Sequence, residues 1–262
     1  MNKITIGSDP EVFLKDLNGN LISSIGKIGG SKKQPRPLGV EGFFVQEDNV
    51  ALEFNIPPAK TVEEFTQSIH WAITKLSEEV KTLGLQLHMS ASEIFPEQEL
   101  QSFAARQFGC EPDYNAWTRH RNPRPRADNL NLRSCGGHIH VGWSEPNTAT
   151  RENLIRAMDL FLGVPSTIMD SNTERRKLYG RAGCFRPTDY GVEYRTLSNF
   201  WLKNKKYTEW AYHQTQRAWD YIADAANVQN LEDKNIEIQY AINENDNSLQ
   251  TYLIESENLS LV

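Results

Sequence analysis

Two hydrophobic periods alternate along this chain, and their order outlines its elements. "KITIGSDPEVFLKD", then the turn "LNGN" and then "LISSIG" predict a hairpin over an Asn-Gly turn. Pro10 breaks the first strand, because proline cannot donate to a ladder, and implies a bulge or an edge. "IGGSKKQPRPLG", residues 28–39, reads as a basic loop, and "EGFFVQ" and "VALEFNI" as a second extended pair joined at "EDN". Thr61 opens a helix with Glu64 completing a capping box, and Val62, Phe65, Ile69, Ile73, Leu76 and Val80 form its apolar stripe. "LQLHMSAS" is the next strand, and residues 104–133 are a long loop rich in proline, asparagine and arginine. "GGHIHVG" is a strand, and "TRENLIRAMDLFLGVPSTIMD" a helix interrupted near Pro165. "GVEYRTLS" is a strand and "YTEWAYHQTQRAWDYIADAA" an amphipathic helix; the acidic stretch from Asn230 onward is expected to hold a short helix and a terminal segment. Hairpins separated by single long helices imply an α+β fold with a mostly antiparallel sheet, and residues 1–262 are read as one domain.

Composition narrows the class without naming an activity. A length of 262 residues, 39% of them hydrophobic, supports a large buried core, and a net charge of -6 disfavours general nucleic-acid binding. The start shows no secretory h-region and no apolar run spans a bilayer, so a cytoplasmic setting is expected. Cys110, Cys135 and Cys184 are few and widely spaced, which reads as reduced thiols rather than a disulfide framework or a zinc knuckle. There is neither a G-x-G-x-x-G nor a G-x-x-x-x-G-K-[ST] motif.

Candidate chemistry lies on four short strands that carry ionisable residues at period two. These pairs are Asp9 and Glu11, Glu47 and Glu53, His138 and His140, and Glu193 and Arg195. Any one pair is commonly the polar face of a half-exposed strand. Gathered on one surface, they make a carboxylate cluster with imidazole, which needs cations against self-repulsion and suits magnesium or manganese better than zinc. Arg181, Arg186 and Arg195 follow closely in sequence. Metal-holding acids with arginines beside them are equipment for a nucleoside triphosphate without a P-loop, so ATP-dependent chemistry leads. Arg124 and Arg126, in the arginine-rich stretch 119–134, read either as part of a solvated loop or as a flap gripping an anionic substrate.

The ordered set "GSDPE", "ALEFNIPPA", "CGGHIHVG" and "YGVEYR" resembles the carboxylate-amine ligases of the glutamine synthetase and glutamate-cysteine ligase superfamily. More closely, through "GSDPE", "FGCEPDYNAW" and "GGHIHVG", the chain resembles the phage-encoded COOH-NH2 ligases of type 2. The resemblance implies a glutamine synthetase-like domain, a curved antiparallel sheet with helices packed on its convex side, joining a carboxylate to an amine with ATP and magnesium or manganese. It assigns Asp9, His138 and Glu193 to one metal and Glu11 and Glu53 to another, with Glu47 a weaker candidate. His140 would lie near the nucleotide, and Arg186 and Arg195 near the transferred phosphate. Two positions depart from the larger relatives: Asp9 stands where they carry glutamate, and Gly191 where glutamine synthetases carry arginine. Small-molecule or peptide substrates are expected, with a homo-oligomer left open. A phosphotransferase, a metal-dependent hydrolase and a non-catalytic ligand-binding module are the competing functions.

Overall fold

The computed structural model describes residues 3–107, 113–125 and 127–262. Its strands are β1 (Thr5–Ser8), β2 (Glu11–Asp16), β3 (Leu21–Ile22), β4 (Arg36–Pro37), β5 (Phe44–Asp48), β6 (Ala51–Asn55), β7 (Leu85–His88), β8 (Ser92–Ile94), β9 (Tyr114–Asn115), β10 (Leu132–Ser134), β11 (Ile139–Gly142), β12 (Cys184–Thr188) and β13 (Gly191–Tyr194). The α-helices are α1 (Val62–Thr82), α2 (Phe103–Arg106), α3 (Thr148–Met158), α4 (Val164–Met169), α5 (Glu174–Leu178), α6 (Lys205–Tyr221), α7 (Ala225–Asp233), α8 (Asn235–Asn243) and α9 (Asn247–Ser256). The expected α+β class with antiparallel pairing is what forms, as a strongly curled half-barrel.

Pro10 does more than bulge a strand. β1 belongs to a sheet ordered β1-β11-β13-β12-β9, whereas β2 belongs to one ordered β3-β2-β6-β5-β4, with β7 also on β2. The segment expected to be one strand therefore crosses between two sheets at the one residue that cannot donate to either ladder. Its carbonyl is still used, accepting from Phe54 N at 3.2 Å, and Ser8 O accepts from Ile56 N at 3.1 Å, so β6 and its extension lie along both halves. The β2–β3 hairpin forms over the Asn-Gly turn as predicted.

Thr61 caps α1, its hydroxyl accepting from Glu64 N at 3.1 Å, while the Glu64 carboxylate accepts from Lys60 N at 2.7 Å, one residue before the usual capping-box partner. Phe65, Ile69, Ala72, Leu76 and Val80 bury the stripe against β7 and α6, with Ile73 only half-buried. Phe65 stacks on Trp201, ring centroids 5.8 Å apart. The break expected near Pro165 falls earlier, in a π-helical turn over Asp159–Gly163; Pro165 sits in the first turn of α4, where its missing N–H costs nothing. Beyond Asn230 the chain is more regular than expected, with α8 and α9 burying Ile238, Ile242 and Leu253.

Asp159, fully buried in that π turn, ties three segments together. Its carboxylate accepts from Trp117 Nε1 at 2.7 Å, Gly183 N at 2.5 Å and the Tyr194 hydroxyl at 2.8 Å. It thereby fixes the loop after β9, the entry to β12 and the end of β13, next to Glu193. Asp159→Ala strands these buried donors and is expected to cost about 3 kcal/mol or more, whereas Tyr194→Phe removes one bond and costs about 1 kcal/mol. Chemical denaturation monitored by tryptophan fluorescence measures both.

Candidate active site

Crossing at Pro10 sends Asp9 and Glu11 to different neighbours. Asp9 meets the histidines: its Oδ1 lies 2.9 Å from His140 Nε2 and 3.3 Å from His138 Nδ1, and His138 Nδ1 lies 3.4 Å from Glu193 Oε1. His140 faces Glu193 across the β11–β13 pair. Glu11 meets Asp48 and Glu53, the three offering oxygens within 4.8 Å of one another.

The glycines before the histidines have a steric reason. A Cβ on Gly136 would lie 2.2 Å from His138 Nε2, and one on Gly137 would lie 2.3 Å from Ser198 O, so the chain folds back on itself only with glycine at both. Gly136 also locks onto Glu11, donating its N–H to Oε2 at 2.6 Å and accepting from Glu11 N at 2.9 Å. His138 is thus held at the mouth of β11 by the segment that positions Glu11.

Arginines neutralise the far side. Glu193, buried, is paired by Arg186 at 2.9 Å and by Arg195. The Nε and Nη2 of Arg186 are buried without a partner, which leaves a donor fork free. Arg175 is buried behind them, bonding the carbonyls of Arg195 and Thr196, and its Nε is unpartnered. Arg186 and Arg195 line a cleft of about 520 Å³ together with Asp9, Glu11, Asp48 and Glu53. A smaller chamber of about 60 Å³ shares Glu11, Asp48, His138 and Arg195 and adds Arg175.

The electrostatics divide the acids into two kinds. Burial alone raises Asp9, but the nearby His140 and His138 win and hold it far below the usual carboxylate range. Glu193 is likewise penalised by burial and pulled below its ordinary value, chiefly by Arg195. Burial, with Asp48 beside it, pushes Glu11 up to about 7. Asp48 is also raised by burial, and Glu53 is raised well above normal by burial and four neighbouring acids. His138 is pulled down to about 4 by burial and the charge of Arg195.

The donor set fits a divalent cation. Asp9 Oδ1 lies 2.9 Å from His140 Nε2 and 3.3 Å from His138 Nδ1, and all three atoms are buried without an aligned hydrogen bond, as expected of atoms aimed at a shared point. Glu11, Asp48 and Glu53 make a hard, all-oxygen set.

Of the residues singled out from sequence, Asp9, Glu11, Glu53, His138, His140, Glu193, Arg186 and Arg195 come together. His140 joins the Asp9 cluster beside His138 instead of standing apart from it. Glu47 does not take part: its carboxylate accepts from the backbone N–H groups of Gly26, Ile28 and Gly29 and braces the early loop. Arg181 and Arg124 are exposed and line neither the cleft nor the chamber. Arg126, Cys110 and the start of "FGCEPDYNAW" lie outside the described residues; Cys135 and Cys184 are buried free thiols. Asp48 was missed although alternation signals it: Val45 is core, so Glu47 shares its side of β5 and Asp48 shares that of Gln46, which bonds Glu53 at 2.7 Å. Arg175 carries no such signal, since "TERRKL" reads as a solvated helical face.

Residues 127–254 match the family described as phage phiEco32-like COOH.NH2 ligase-type 2, which bears out the resemblance carried by the motifs. No curated protein matches the chain significantly. A solved structure described as "Crystal structure of novel glutamine synthase homolog" aligns at a TM-score of 0.41 and 10% identity, covering 98% of this chain. This chain spans 66% of that one. Among the described residues no helix is long and apolar enough to cross a membrane.

Acids raised by burial lose stability as they ionise, so the metal-free protein should be destabilised by the Glu11 set as pH rises from about 4.5 to about 7. Asp9 and Glu193, held low, act in the opposite sense and withdraw their stabilisation only in acid. A cation replaces protons at the raised acids, so manganese should increase the melting temperature little at pH 5 and strongly at pH 8. Thermal melts across that range check this, and a manganese shift independent of pH counts against it.

Proposed function

We propose that this protein is an ATP-dependent carboxylate-amine ligase that works through an acyl phosphate. The observation that carries the reading is the meeting of two acid clusters, one on each side of Pro10, with the unpartnered fork of Arg186 on one cleft. The match of residues 127–254 to a family of COOH.NH2 ligases supports the same class. One continuous apolar core runs under both sheets and the helices, which supports reading residues 1–262 as a single catalytic unit.

A carboxylate is a poor electrophile because its charge is spread over both oxygens. In the proposed reaction a carboxylate oxygen attacks the γ-phosphorus of ATP, and the bond to the β-bridging oxygen breaks with its electron pair leaving on ADP. The amine nitrogen then attacks the acyl carbon and phosphate departs. Magnesium or manganese ions, held by Asp9, His138, His140 and Glu193 and by Glu11, Asp48 and Glu53, would neutralise phosphate oxygens. Arg186 presents its fork to the transferred phosphoryl group, and Arg195 keeps Glu193 ionised and in place. Lys32, on the cleft wall, adds positive charge, and the histidine pair keeps Asp9 ionised.

Incubation with magnesium-ATP and a small-molecule extract of bacterial cells, resolved by mass spectrometry, tests the reading. The expected result is ADP together with a product equal in mass to a carboxylate plus an amine less one water. Untouched ATP overturns the reading, and a stable phosphorylated metabolite replaces it with phosphotransfer. Arg186→Ala is expected to lower kcat by about a hundredfold, within the range for losing one preorganised donor. Folded Glu11→Ala and Glu193→Ala variants that turn over ATP like the wild type would also refute it.

A further inference from the structure

Tyr190 is a half-exposed residue at the tip of the β12–β13 hairpin, a place where a side chain ordinarily moves freely. Here the backbone beneath it is held from several directions. Tyr190 O accepts from Trp143 N at 3.0 Å, which ties the tip to the end of β11. Arg151 reaches over from α3, donating Nε to Gly191 O at 2.8 Å and Nη2 to Thr188 O at 2.9 Å, so one guanidinium closes both ends of the turn. Gly191 lets the turn come down on β11, since a Cβ there would stand 2.0 Å from Val141 O. On β11 itself Gly142, two residues beyond His140 and therefore on the same face, puts no side chain in the way; a Cβ would already stand 3.6 Å from Tyr190 Cδ2. The tyrosine ring lies 30° from the plane of His140, with centroids 6.0 Å apart, and its hydroxyl comes 2.5 Å from His140 Nδ1.

The other ring nitrogen, Nε2, is buried 2.9 Å from Asp9 Oδ1 without an aligned hydrogen bond. An imidazole that holds a cation through Nε2 carries its proton on Nδ1, and the partner at Nδ1 decides whether the ring is kept in that form and that plane. A tyrosine hydroxyl suits the task because it both donates and accepts, whereas a carboxylate only accepts and an ammonium only donates. With the ring proton on Nε2, facing Asp9, the hydroxyl donates to Nδ1; with a cation at Nε2, the Nδ1–H donates to the hydroxyl. Phenylalanine does neither.

We propose that Tyr190 is a positioning residue for the Asp9 metal site: its hydroxyl fixes the plane and tautomer of His140 and makes that histidine a ligand beside Asp9, His138 and Glu193 instead of a contact for the nucleotide. This rests on the divalent-cation reading of the Asp9 cluster and is independent of which substrates are joined.

Manganese titration of the full chain, read from the electron paramagnetic resonance signal of the free ion, tests the proposal without turnover. Glu53→Gln serves as the parent, because it disables the all-oxygen cluster and leaves the Asp9 site to titrate. In that parent Tyr190→Phe keeps the ring and should weaken manganese binding by about tenfold to a hundredfold, the range for losing an outer partner of a metal-bound histidine. His140→Ala should weaken it at least as much, and adding Tyr190→Phe to His140→Ala should cost nothing further, because the hydroxyl acts only through that ring. Ring-nitrogen NMR of labelled histidine, with magnesium bound, should show the His140 proton on Nδ1 in the parent and lose that signature in Tyr190→Phe, while metal-free melting temperatures stay equal. Unchanged manganese affinity in Tyr190→Phe or in His140→Ala overturns the proposal, as does an equal loss from Tyr190→Phe with and without His140. If ADP forms in the cell extract while Tyr190→Phe binds manganese unchanged, this inference fails alone. No manganese binding by the wild type refutes the cation reading and this inference with it.

Discussion

Five carboxylates drawn out of water onto one surface is the constraint around which the structure is arranged. Like charges at such spacing raise one another's proton affinity, and burial adds to the cost. The protein answers unequally. Asp9 and Glu193 are compensated by histidines and arginines, while Glu11, Asp48 and Glu53 are left to hold protons or a cation. The compensating groups are themselves fixed from behind: Arg195 by the carbonyl bond from Arg175, His138 by the glycine pair, and Tyr194, beside Glu193, by Asp159. Scaffold and site are one network of charges.

Much of this was legible in the sequence, because alternation is a strong signal. The period-two spacing singles out Asp9, Glu11, Glu53, His138 and Glu193, which meet in the two clusters even though Asp9 and His138 stand just outside the strands, and the helical stripe of α1 reads nearly residue for residue. The turn chemistry at Asn18-Gly19 and the cap at Thr61 act over a few residues, which is why they could be read locally.

What was not legible depends on contacts distant in sequence. Glu47 and Asp48 are adjacent acids, and the backbone N–H groups of Gly26, Ile28 and Gly29 that hold Glu47 away from the site lie some twenty residues earlier. Buried Arg175 is indistinguishable from a surface charge until its carbonyl partners, some twenty residues on, are known. The C-terminal helices were underestimated because each is short, with one or a few buried positions; α8 and α9 pack on α4 and on each other, and α7 packs on α3. Asp159 sits in an apolar run that reads as ordinary helix; its role is visible only from the donors it collects.

The passage through Pro10 sets a covalent ruler between the two clusters. Asp9 and Glu11 are separated by a single residue whose φ is locked, and two successive residues span at most about 7 Å of chain. The distance between the two acids' backbones is therefore set by bond lengths, whatever the breathing of the packed sheets around them. Heating or loop motion can open the cleft, but the gauge between its two halves travels with the peptide itself.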